Sequence, residues 1–142
     1  MTGWLATICA AIWALCCAFF LLVERPGFNT EQNKDLLYWY HWLSTKGTPF
    51  MIGCVFTGSA LGIYAWLQNG PRAFLIGALI LVVMFPLSSI FVVTDDREAM
   101  ETETDVYGEH MKQVFQRWRF VHLLRTVLAF VALGLYLSAV LS

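Results

Sequence analysis

The stretch FVHLLRTVLAFVALGLYLSAVL, residues 120–141, decides the fold. It runs for 22 residues and carries two ionisable side chains that defy its apolar character, His122 and Arg125. A helix rises about 1.5 Å per residue and a bilayer core is about 30 Å thick, so roughly 20 residues cross it. Three more such stretches precede it, at 4–23, 49–67 and 73–93. Backbone amides cannot go unpaired in lipid, so each stretch is expected to be a helix. The period-2 alternation of a membrane barrel strand is absent from all four. A soluble all-α core does not fit either, because four such stretches leave no polar face for water.

Composition points the same way. Of 142 residues, 58% are hydrophobic and 13% are charged, whereas soluble domains are about a quarter charged. The expected architecture is an all-α, integral membrane four-helix bundle forming a single domain over 1–142. Its helices should cover about 4–23, 49–68, 73–94 and 105–141. The first is expected to be retained as a helix, since its apolar run is too long for a signal-peptide core. The lipid bilayer is thus the first partner. A nucleic-acid partner is excluded by the net charge of −1, because such binders need a clustered basic face.

Charge sets the expected orientation. The two long connections carry Arg25, Lys34, Lys46, Arg97, Lys112, Arg117 and Arg119, and alternation of the helices places both on one side. The other side has Arg72 alone, in the turn Asn69-Gly70-Pro71-Arg72. The basic side should be cytoplasmic, with both termini lumenal or extracellular. All ten Asp and Glu residues fall on that same side, so the chemistry is expected at one membrane face.

The first long connection contains Tyr38, Trp39, Tyr40, His41 and Trp42. Aromatic rings settle in the headgroup layer, which predicts an interfacial helix between helices one and two. The same cluster is also placed to roof a pocket. In the second connection Met100, Tyr107, Met111, Val114 and Trp118 recur three, four or seven apart with charges between. That pattern predicts a cytoplasmic extension of helix four.

Cysteine offers no chemistry. Cys9, Cys16, Cys17 and Cys54 all lie in apolar runs and form no CxxC pair. They read as small hydrophobes, and neither a thiol redox motif nor a zinc site is indicated. Gly58 and Gly62 form a GxxxG pair that marks a close helix contact, within one chain or between copies in a homo-oligomer.

The residues that break the apolar pattern are the informative ones. Trp118, His122 and Arg125 are spaced i, i+4, i+7. At about 100° per residue they fall near 0°, 40° and −20°, one narrow stripe. Arg125 sits about 7–8 Å inside the apolar run, where an ionisable group facing lipid is costly. It should face the bundle, snorkel to the near interface, or pair with Asp95 or Asp96 at the end of helix three.

Four features then recur in a familiar order. Trp42 is followed by Lys46-Gly47 and Pro49, and Phe85-Pro86 lies within helix three. Val93-Thr94-Asp95-Asp96-Arg97 ends that helix, and Trp118-x3-His122-x2-Arg125-Thr126 opens the last one. Together they resemble the anthrone oxygenase-like family of small four-helix membrane proteins, over roughly residues 40–140. Where that family has a Pro-Thr-Asn-x-Arg-Leu pattern, this chain has Val93, Asp95 and Glu98 in place of the Pro, Asn and Leu.

The resemblance implies a membrane enzyme of secondary metabolism, tailoring a lipophilic polyketide of anthrone type with dioxygen. Such a site must hold a flat apolar ring system, remove a proton and stabilise an oxyanion. Trp118, Trp42, Tyr40 and Phe85 are the candidates for contact with the rings. His122 is the candidate base, as imidazole normally titrates near neutrality. Arg125 is the candidate for holding the enolate oxygen, with Asp95 orienting either of them. The resemblance names no cofactor beyond dioxygen. A metal or haem held by histidine stays open, with His122 and His41 as ligand candidates and His110 on the same side. A non-catalytic membrane carrier or scaffold using the same cavity is the third reading.

Overall fold

The computed structural model describes residues 1–23, 48–92 and 109–142. Within them the chain forms four helices and no strand: α1 (Thr2–Val23), α2 (Thr48–Leu67), α3 (Arg72–Val92) and α4 (Glu109–Leu141). These are the four helices expected from the apolar runs. The interfacial helix expected between α1 and α2 lies outside the described residues. Helix α4 spans 33 residues, about 50 Å, so it outruns a bilayer core and carries the expected extension.

Three segments are long and apolar enough to cross a membrane: Thr2–Phe19, Pro49–Leu67 and Arg119–Leu141. In α3 the described apolar segment is the shorter Arg72–Met84, on a helix whose backbone continues to Val92. The four pack as a square, α1 against α2 and α4, and α3 against α2 and α4.

Side-chain size is arranged for lipid. On α1 the buried face is Ala6, Thr7, Ala10, Ala14 and Cys17, joined by Trp13. Its outer face is Leu5, Ile8, Ile12, Leu15, Phe19 and Leu22. Lipid tails are as apolar as leucine, so burying large residues gains little, and small residues let helices approach and pack. Ala78 on α3 and Ala129, Ala132 and Ala139 on α4 repeat the rule.

Some large residues are buried all the same, Leu81 and Tyr136 completely. Tyr136 of α4 is fully buried, at 0% exposure. It fits because α2 and α3 present glycine there: a Cβ built on Gly62 or Gly77 would run into the Tyr136 ring or its hydroxyl. The hydroxyl donates a hydrogen bond to the Gly58 carbonyl at 3.1 Å, across the bundle. Phe74 lies beside the ring, with centroids 5.6 Å apart and planes tilted by 52°. The Gly58-x3-Gly62 pair is therefore a contact within one chain, between α2 and the tyrosine of α4.

The α2–α3 turn closes this end. The Gly70 amide bonds back to the Ala65 carbonyl at 3.1 Å, while Asn69 adopts a left-handed φ of 67°. That is a Schellman cap, with asparagine in the position glycine usually takes. Gly3 of α1 sits close to Phe74 and Val140, so the start of α1, the start of α3 and the end of α4 share this end.

Candidate functional site

The opposite half of the bundle holds the residues that resist burial. On α4, Val121, His122, Thr126 and Ala129 are buried and Arg125 is half-buried, so this helix turns its polar face inward. His122 is 4% exposed. The Thr126 hydroxyl donates to the His122 carbonyl at 2.7 Å, which satisfies it within its own helix. At the α2–α3 turn end Thr7 of α1 does the same with the Gly3 carbonyl at 2.8 Å.

Arg125 directs its charge into the protein. Its guanidinium carbon lies 6.0 Å from the centroid of the Trp13 ring on α1, a cation–π arrangement. Of the placements open to an intramembrane arginine, this one keeps the cation among the helices. Trp13 is itself 6% exposed. Its indole Nε1 and the Ser59 hydroxyl are the two buried side-chain polar atoms that make no hydrogen bond among the described residues. A hydroxyl proton rotates to suit its surroundings, whereas the indole N–H points where the ring points.

Of the residues expected at the site, His122 and Arg125 thus lie one turn apart on the inward face of one helix. Trp118 belongs to α4 and Phe85 to α3 by backbone, but their side chains fall outside the described set, as does that of His110. Asp95, Trp42, Tyr40 and His41 lie outside the described residues altogether. Among the described residues no three His, Cys, Asp or Glu side chains converge as a metal site would require. Cys9, Cys16, Cys17 and Cys54 form no disulfide.

Trp13 is the residue that sequence reading missed. A signal was present. The buried face of α1 is otherwise Ala6, Thr7, Ala10, Ala14 and Cys17; Thr7 satisfies its hydroxyl on the Gly3 carbonyl, whereas a buried indole N–H among small residues needs a reason.

A small helical membrane protein, with a histidine and an arginine turned inward near one end of its bundle, is the class that this fold and site define. A family model described as anthrone oxygenase matches residues 36–135, well over half of the chain, and the protein belongs to that family. The curated proteins and the solved structures hold no match to it.

Proposed function

We propose that the protein is a membrane-embedded oxygenase that converts a lipophilic, anthrone-type polycyclic substrate into the corresponding anthraquinone. One observation carries the reading. His122 is buried one helical turn from Arg125, whose cation is drawn inward onto Trp13. A base and a fixed positive charge side by side in a low-dielectric interior suit a reaction that turns a neutral substrate into an oxyanion.

The chemistry follows from the substrate. An anthrone has an acidic methylene opposite its carbonyl. In this reading His122 takes one methylene proton, the electron pair moves onto the carbonyl oxygen, and Arg125 holds the resulting enolate. The electron-rich anthrolate reduces dioxygen and a carbon–oxygen bond forms, giving a hydroperoxide once a proton is returned. Loss of the second methylene proton with cleavage of the O–O bond releases water and leaves the quinone carbonyl. The sum is anthrone plus dioxygen to anthraquinone plus water. Asp95 is assigned to orienting His122 or Arg125, and Trp118, Trp42, Tyr40 and Phe85 to the ring system.

The substrate would enter from the bilayer, past the large apolar side chains that cover the outside of the helices. The charge bias supports a site at the cytoplasmic face, with both termini on the other side. The direct test supplies the purified protein in detergent with anthrone and oxygen. Anthraquinone should form with one dioxygen consumed per substrate. Formation no faster than in buffer with detergent alone would sink the reading.

A further inference from the structure

We propose that the Trp13 indole N–H donates a hydrogen bond to the substrate's oxygen anion, beside Arg125. The proposal rests on the oxygenase reading above and adds a helix to its site. Three observations carry it. Trp13 is 6% exposed, and its Nε1 makes no hydrogen bond among the described residues. The Arg125 guanidinium stands 6.0 Å from the centroid of the same ring. Among the described buried residues of α1 it is the one large side chain, beside Ala6, Thr7, Ala10, Ala14 and Cys17.

A buried donor with no acceptor is costly, and inside a membrane there is no bulk water to relieve it. Nearly all buried polar groups in proteins are satisfied, so an orphan N–H marks a place for an acceptor. The cation close by selects the acceptor's charge. An oxygen anion accepts from the N–H and is attracted by the guanidinium at the same time; a neutral oxygen accepts from the N–H but gains less from the cation, and a cation is repelled. Packing and the cation–π contact alone would be served by phenylalanine, which brings no donor to satisfy. Trp13 also precedes the family-matched residues 36–135, so α1 supplies to the site a group that the matched segment lacks.

The experiment uses the full-length protein in detergent without oxygen, so that proton removal is read apart from oxygenation. Two variants are compared with wild type: Trp13→Phe, and Trp13 replaced by benzothienylalanine, which keeps the bicyclic shape and has no N–H. The first readout is the fraction of bound anthrone present as anthrolate, from its absorption across pH. The second is the Trp13 indole N–H resonance, assigned by its absence from Trp13→Phe, on addition of anthraquinone as an oxygen-bearing ligand that does not react. Loss of the N–H should lower the anthrolate-to-anthrone ratio at fixed pH about tenfold, a rise of roughly one unit in the apparent pKa of the bound anthrone. Anthraquinone should shift the indole resonance. Equal anthrolate in wild type and the benzothienyl variant overturns the donor assignment and leaves the oxygenase reading intact. No anthrolate in wild type, with an indole resonance that still moves, keeps the donor assignment and removes the oxygenase reading. An indole resonance that neither ligand moves overturns the donor assignment whatever the turnover.

Discussion

The two halves of this bundle use the same four helices for opposite ends. Near the α2–α3 turn glycines and alanines close around Tyr136 and the buried Phe74, and the Tyr136 hydroxyl is satisfied by the Gly58 carbonyl. Towards the long connections the interior holds His122, Arg125 and the unmatched Trp13 N–H. The first half gains its stability from close backbone approach and one hydrogen bond across the bundle, the contacts available where lipid supplies no hydrophobic drive. The second half gives up some of that stability to keep ionisable groups out of water. Substitutions in the first half should therefore act on melting, and substitutions in the second on turnover.

The largest expected effect is at His122. Replacement by alanine should slow turnover by roughly 10²–10⁴-fold, the usual contribution of a positioned base. Melting in detergent should stay close to wild type. A well-folded His122→Ala protein with normal turnover would remove the base from the mechanism and erase the contrast between the halves.

Gly62→Ala tests the other half. The new methyl would collide with the Tyr136 hydroxyl and ring. Overpacking of this kind costs about 1–3 kcal/mol. Thermal or denaturant melting should show that loss, with turnover per folded molecule unchanged below the transition. Adding Tyr136→Phe removes the colliding oxygen and should recover part of it. Strict additivity of the two changes would mean that the glycine slot and the tyrosine do not act together.

Arg125→Lys sharpens the reading of the polar half. Lysine keeps the charge and loses the planar fork that can face an indole and an oxyanion at once. Turnover should fall at least about tenfold, equivalent to roughly 1.4 kcal/mol, with little change in melting. A lower melting temperature at full turnover would make Arg125 a structural cation.

The smallest effect belongs to Tyr136→Phe alone. It removes one hydrogen bond inside the membrane, a contact averaging about 0.6 kcal/mol in such proteins. The melting shift should be small, and turnover should not move. A shift beyond about 2 kcal/mol would show that the hydroxyl organises more than the Gly58 carbonyl.

The sequence by itself determined the helices and the stripe. The apolar runs at 4–23, 49–67 and 73–93 became Thr2–Val23, Thr48–Leu67 and Arg72–Val92. A bilayer imposes its length on every crossing segment and forces each to pair its own amides, so these constraints act within one run and can be read from it. Rotation of about 100° per residue likewise places His122 and Arg125 on one face without reference to any other helix. The structure alone decided which helix that face meets. Trp13 lies more than a hundred residues before Arg125, and nothing in either run states their register. The Gly58-x3-Gly62 pair was equally silent about its partner until Tyr136 of α4 was seen in the slot. Small residues permit close approach to whichever surface complements them. The choice is made by packing four helices at once, where the α2–α3 turn joins one pair and the Tyr136 ring of α4 lodges against Gly62 and Gly77 of that pair.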